Sequence, residues 1–299
     1  MNNKNRITIL SVSYNSIYHL KRLFNNLIQK AEVPQNIQFM VIDNTHGSDS
    51  KIKDLHSLDS KIIIIPNKGS GMQRSISHAS ALDIGLAVIE TRYCLIIDPD
   101  TYIFKKNWDA FFLKKIKDDK VVVGAPYPDW KIGKVHDFPS VIFMFFKTEE
   151  VKNFGKSFYP FPSLPKQIYN FIFRKVTRLG FFTSKSILNN NKWLRCIIYR
   201  LERIFGITAP DTGKGIIESF RSNKFKSINF NAIYSSDQIL KKSKASLDLA
   251  QEYELYLYNK ELIMTHMYSS GVFHWKTERR SDIDYWESLI NKIENKNEN

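Results

Sequence analysis

Tyr93-Cys94-Leu95-Ile96-Ile97-Asp98-Pro99-Asp100-Thr101-Tyr102-Ile103-Phe104, YCLIIDPDTYIF, is the stretch that decides the fold. Cys94, Leu95, Ile96 and Ile97 read as a buried strand. Two carboxylates follow at once, split by a proline, and apolar residues then resume. Like charges at the mouth of a hydrophobic strand repel one another and need compensation. A hard divalent cation supplies it, because Mg²⁺ and Mn²⁺ prefer carboxylate and phosphate oxygens. A turn with two solvated acids is the plainer reading, and the neighbouring segments bear on the choice.

Working upstream, strand and helix patterns alternate. Residues 6–14, RITILSVSY, are β-branched and of strand length, and IQFMVID is a second strand ending at Asp43. KIIIIPN is a third, ending at Asn67. Between the first two, Ile17, Leu20, Leu23, Phe24, Leu27 and Ile28 fall on one helical face, with Ser16 placed to cap it. Between the third and the fourth, residues 75–90 repeat apolar positions at helical spacing. Such alternation predicts a mostly parallel sheet flanked by helices, with ligands bound beyond the carboxyl ends of the strands. Polar residues gather there: Ser13, Tyr14 and Asn15 after strand one, Asp43 and Asn44 after two, Asn67, Gly69 and Gly71 after three, Asp98 and Asp100 after four.

Downstream, VVVGAPYP is a strand running into a loop, and SVIFMFFKTEEV is a strand followed by a helix start. ELIMTHMYSSG is a late strand ending near His266, and the polar tail NKIENKNEN is expected to fray. Residues 166–203 contain nine Lys or Arg and one acid, Glu202, so this segment holds more than half of the net charge of +14. Its RCIIYRLERIF part sets Ile197, Ile198, Leu201, Ile204 and Phe205 on one side. Basic amphipathic helices with aromatics suit an anionic bilayer surface, and a helical hairpin with a solvated basic face is the alternative. No nucleic-acid-binding motif is present.

Hydrophobic residues make up 43% of the 299, enough for a sizeable core. No window has the roughly 20 apolar residues of a spanning helix. The N-terminus lacks a signal-peptide apolar region, and two isolated cysteines point to no disulfide framework or zinc site. A cytoplasmic protein, peripheral on the inner face of the plasma membrane, is expected.

The pieces SVSYNS...HLKRLFNNL, VIDNTHGSD, IPNKGSG, ALDIGLAVIETRYCLIIDPD and APDTG, in this order and spacing, resemble the family 2 glycosyltransferases of GT-A fold. The likeness covers residues 6–102 well and 121–275 loosely. It implies an α/β, Rossmann-like fold: one domain over 1–290, with a nucleotide-sugar-binding half over 1–104. An acceptor half over 105–290 would carry the helical basic insertion at about 163–206, and 291–299 would form the polar tail.

The resemblance also implies a nucleotide-sugar donor (UDP being the commonest carrier), a divalent metal (Mn²⁺ or Mg²⁺) and inversion at the anomeric carbon. The acceptor would be a glycan or a lipid-linked sugar of bacterial surface polysaccharide synthesis. Ser13, Tyr14 and Asn15 would lie by the nucleotide, Asp43 would accept a hydrogen bond from the base, and Asn67 and Arg74 would line the donor site. Asp98 would approach the ribose or a metal-bound water, and Asp100 would ligate the metal. His266 would complete the metal shell, with His274 as its competitor. Asp211, in TAPDTGKGI, would be the general base, a helix N-cap being its ordinary alternative; Glu149, Glu150 and Asp237 are reserves. Asp83 departs from the asparagine frequent at its position. A nucleotidyltransferase would carry a Gly-rich basic loop where Ser13-Tyr14-Asn15 stand. A non-catalytic binding protein of the same fold is the second rival.

Overall fold

Of the four N-terminal strands, all short, the first, second and fourth are almost wholly buried, as strands covered on both faces must be, and the third, at the sheet edge, is half-buried. In the computed structural model, which describes residues 5–68, 74–117, 120–161, 163–179, 184–237, 243–267 and 277–297, they are β1 (Ile7–Ser13), β2 (Ile37–Asp43), β3 (Ile63–Pro66) and β4 (Tyr93–Ile97). Three more strands, β6 (Val121–Ala125), β7 (Phe143–Lys147) and β8 (Lys226–Asn229), complete a sheet of order β3-β2-β1-β4-β7-β6-β8. β1 pairs in parallel with both β2 and β4, and β2 with β3. The exception to parallel order is β7, which is antiparallel to both β4 and β6. Its connection from β6 has no helical crossover, and a connection without one returns the chain antiparallel.

Helices α1 (Ile17–Lys30), α2 (Arg74–Val88), α3 (Trp108–Lys115), α4 (Thr148–Lys152) and α8 (Lys214–Ser222) accompany this sheet. The apolar spacing of α1 buries Leu20, Leu23, Phe24 and Leu27 as its pattern required. Ser16 precedes that helix without capping it: its hydroxyl donates to Tyr14 O at 3.1 Å and takes no helix amide. A Cβ at Gly85 would overlap the Leu10 side chain, so glycine lets α2 press against β1. Phe112 of α3, fully buried, meets Phe143, Phe145 and Phe230 at centroid distances of 5.4–5.8 Å.

The chain divides into two compact units. The first, Met1–Pro126, Asp137–Pro160 and Asp211–Phe230, contains all of the above. The second is Tyr127–His136, Phe161–Pro210 and Asn231–Asn299. It holds α5 (Leu164–Thr177), α6 (Lys185–Asn190), α7 (Lys192–Phe205), α9 (Lys244–Glu252) and α10 (Ile283–Asn297), with strands β9 (Asn231–Ala232), β10 (Glu254–Tyr258) and β11 (Glu261–His266). Residues 291–297 of the tail expected to fray continue α10, which buries Trp286, Leu289, Ile290 and, within the tail, Ile293.

Trp130, Ile132, Leu188, Ile198 and Tyr234 form one core of this second unit. Much of the basic insertion is structural. Arg195 stacks 3.6 Å from the Tyr234 ring centroid and donates to Asn189 O and Ser236 Oγ, and buried Arg178 donates to Ile132 O. Burial lowers the His136 pKa, but the hydrogen bond and charge of Glu202 outweigh this and raise it above 6.5. Among the described residues no helix is long and apolar enough to cross a membrane.

Two outcomes are expected. Phe112→Ala should cost about 3–5 kcal/mol in denaturant unfolding, because it empties a site walled by three other phenylalanines. A raised histidine pKa stabilises the fold below the unfolded value, and that contribution fades as pH rises through the folded value. Stability of wild type minus His136→Gln should therefore be largest below about pH 6 and shrink steadily above it; a difference that grows with pH would contradict the pairing.

Candidate functional site

Parallel strands end together, so the residues that follow them become neighbours. Ser13 pairs with Asp43 in the β1–β2 register, and Asp43 with Pro66 in the β2–β3 register. The chain then ties itself across the edge. The Asn44 amide donates to Ser13 O at 2.9 Å, and the Asn67 amide to Asp43 O at 2.8 Å. Asn67 Nδ2 donates to Asn44 Oδ1 at 2.7 Å, and Asn44 Nδ2 to Ser77 O on α2. Asp43 is buried, and its Oδ1 accepts from both the amide (2.9 Å) and the hydroxyl (2.7 Å) of Thr45. This holds the carboxylate at one angle and leaves Oδ2 for a further donor. Asn15 sits in the left-handed region at φ 53°, which asparagine tolerates. It helps line a cleft of about 350 Å³ with Ile17, Ser48, Asp49, Ser50 and Lys51. Tyr14 beside it is 69% exposed.

The Asp98-Pro99-Asp100 turn leaves the same edge from β4 and is anchored throughout. Ser11 Oγ donates to Ile97 O at 2.8 Å, the Asp98 amide to Ile142 O at 3.0 Å, and Arg22 to Pro99 O. Just beyond the turn, strand β5 (Thr101–Ile103) is gripped by buried Asn26 of α1, whose side chain accepts from the Ile103 amide and donates to the Ile103 carbonyl. Both carboxylates are half-buried. His78 Nε2 stands 3.9 Å from Asp98 Oδ1. Two carboxylates on one rigid turn are the hard oxygen donors that Mg²⁺ and Mn²⁺ favour, so this part of the donor set fits such an ion.

Asp211 lies in the same unit and is not the cap of α8: Gly213, at φ 89°, takes that position. The Asp211 carboxylate accepts from the Thr212 amide, and Thr212 Oγ1 donates to Ser75 O at the start of α2. Arg74 opens that helix; its side chain lies outside what the structure describes, as do Gly69, Gly71 and His274. Asp83, the departure from the family pattern, has a packing role. It accepts from the Ser157 hydroxyl and the Phe158 amide, and Phe158 O in turn accepts from the Gly213 amide.

His266 belongs to the second unit. Its Nδ1 is 3.0 Å from Glu254 Oε2, and both residues are buried. The carboxylate also takes the Tyr256 hydroxyl at 2.9 Å and pairs with Lys131 at 2.5 Å. Burial would raise the Glu254 pKa, but the Lys131 charge and the His266 hydrogen bond draw it down to about 2. An ionised Glu254 engages Nδ1 and so fixes the orientation of the imidazole. A β-bulge creates the pairing. The two-residue turn Asn259-Lys260, both at positive φ, would set Glu254 opposite Thr265, but the register shifts after Tyr256–Met264 and brings Glu254 opposite His266. Of the reserve acids, Asp237 pairs with Arg195, and Glu149 and Glu150 sit in the first turn of α4.

The sequence reading passed over Thr45, Asp49, His78 and Glu254. Thr45 and Asp49 stand in the quoted VIDNTHGSD, where their polarity was a usable signal. His78 carried none. Glu254 could be found only through the bulge.

The glycosyl transferase family 2 model matches residues 8–176. Nothing among curated proteins matches. Solved structures similar to this chain include the mannosyltransferase PcManGT from Pyrobaculum calidifontis in complex with GDP-Man and Mn²⁺ (17% identity over 50% of this chain and 46% of that one, TM-score 0.41). They also include S. aureus TarS 1–349 (17%, 52% and 50%, 0.37) and GalNAc-T7 with UDP, GalNAc and Mn²⁺ (12%, 50% and 36%, 0.41). The chain spans half or less of the length of these structures. The mostly parallel sheet flanked by helices is the arrangement of the GT-A glycosyltransferases. Since the family model covers more than half of its residues, the chain belongs to glycosyl transferase family 2.

Proposed function

We propose that the protein is a metal-dependent inverting glycosyltransferase, moving a sugar from a nucleoside-diphosphate donor, with UDP as the default carrier, to a glycan or lipid-linked acceptor. Bacterial surface polysaccharide synthesis is its setting. One observation carries the reading: the row Ser13, Asp43, Asn67 along the carboxyl edge of three parallel strands, with the Asp98-Pro99-Asp100 turn leaving the fourth. Residues 1–104 bind the donor, and residues 105–290 contribute to acceptor binding.

Each residue has a physical task. Asp43 offers its second carboxylate oxygen to a donor on the base, which discriminates by hydrogen bonding. Asn15 and Asp49 line the cleft beside it, with exposed Tyr14 adjoining Asn15 in the chain; Asp49 Oδ2 is buried without a hydrogen-bond partner among the described residues, as a carboxylate awaiting a ligand donor would be. Arg74 holds phosphate. Asp98, Asp100 and His266 Nε2 are the metal ligands, with Glu254 orienting the imidazole. The ion supplies charge neutralisation for the departing diphosphate. Asp211 takes the acceptor hydroxyl proton as that oxygen attacks the anomeric carbon and the carbon–oxygen bond to the diphosphate breaks, which inverts the configuration.

Calorimetric titration with UDP, GDP, dTDP and CDP, each with and without Mn²⁺, tests the donor site. One nucleotide should bind tightly only with metal, and Asp100→Asn and His266→Ala should each abolish the metal dependence. No nucleotide binding under any condition would remove the reading. Asp211→Asn should lower sugar transfer by about 10²–10⁴-fold while nucleotide affinity stays within about twofold of wild type. Equal losses in affinity and rate would make Asp211 structural rather than the base.

A further inference from the structure

A surface helix ordinarily buries its apolar stripe and shows its polar side. Helix α5 does the reverse. Asn170 and Thr177 are its buried residues, joined by Arg178 at its C-cap. Thr177 Oγ1 turns back to Phe173 O and Arg174 O, and Arg178 donates twice to Ile132 O. The solvent side carries Leu164 (73% exposed), Ile168 (61%), Phe171 (58%), Ile172 (53%) and Val176 (43%), continued by Leu179. Their spacing of four, three, one, four and three residues makes one continuous ridge. Nine of the thirteen exposed large apolar side chains among the described residues lie between Leu164 and Ile204, so this exposure is concentrated rather than scattered.

We infer that the α5 ridge is a docking surface for an anionic lipid bilayer, with the helix lying in the plane of the headgroups. At 14 residues it is about 21 Å long and cannot span a membrane. Charge selects the partner. Lys166 and Lys175 are exposed on α5, and Lys192, Arg200 and Arg203 on α7, where Trp193 is 74% exposed. From residue 164 to 203 the sole acid is Glu202, and it is turned inward to the Gly133 amide and to His136. Within residues 164–203 the charged groups shown to solvent are therefore all cationic, and the exposed acid against α7 is Asp129, which takes the Tyr199 hydroxyl. A second copy of the chain would set like charges against each other across the ridge. A bilayer of anionic lipid accepts both the apolar side chains and the cations that flank them. The sequence pattern had pointed to α7 for this role, but α7 packs Ile198 into the core.

The test needs no donor, metal or acceptor, so its outcome is separate from that of the glycosyltransferase reading. The full chain is sedimented with vesicles of equimolar phosphatidylcholine and phosphatidylglycerol, and with phosphatidylcholine alone. Binding is expected to the mixed vesicles, and to fall about tenfold or more in the double variant Phe171→Ser, Ile172→Ser, with an unchanged unfolding temperature. A Phe171→Trp variant should show an added blue shift of emission on the mixed vesicles, reporting burial of the ridge with nothing removed. Absence of wild-type binding, equal binding by the double variant, or a wild-type dimer that the double variant dissolves would each overturn the proposal.

Discussion

The parallel register of β1, β2, β3 and β4 is the constraint on which the rest of the first unit depends. A parallel ladder aligns the ends of its strands, so four segments distant in sequence deliver their next residues to one edge. Ser13, Asp43 and Asn67 become neighbours for that reason alone. The hydrogen bonds among Ser13, Asn44 and Asn67 then lock the edge. A one-residue slip would turn alternate side chains to the other face and misplace every polar group.

Placing charge at such an edge requires rigidity, and the Asp98-Pro99-Asp100 turn has it. Ser11, Ile142, Arg22 and Asn26 fasten the backbone on either side of the carboxylates. Two like charges would push a loose turn apart. Here the geometry is held by proline and by bonds to the backbone around the carboxylates, one of them from the Arg22 cation. Such a turn gives up little conformational freedom on binding an ion.

The second unit solves a related problem with buried charge. Glu254 is drawn down to about 2 although burial opposes ionisation, because Lys131 and His266 both stabilise its charged form. A buried, ionised carboxylate next to an imidazole fixes which nitrogen faces outward. Removing Glu254 would leave the buried Lys131 ammonium without its Glu254 counter-charge, which is costly. The same unit uses Arg178 and Arg195 as internal struts, so a high basic count in this segment is not in itself a basic surface.

Strand and helix periodicity was legible in the sequence because it depends on local spacing: the strands β1–β4, the helices α1 and α2, and the aspartate turn all stand where the pattern put them. The mostly parallel sheet followed from alternation, and the family from short motifs in order. What local spacing cannot carry was decided by tertiary structure. Ser16 spends its hydroxyl on Tyr14 rather than on a helix amide, and Gly213, not Asp211, caps α8. Residues 291–297 continue α10, whose buried side is Trp286, Leu289, Ile290 and Ile293. One bulged residue moved Glu254 from Thr265 to His266, a choice no periodicity encodes. Which amphipathic helix shows its apolar side depends on what packs against it. The sequence determined that α7 would have such a side, and only the fold decided that it would seat Ile198 in a core while α5 left its ridge in solvent.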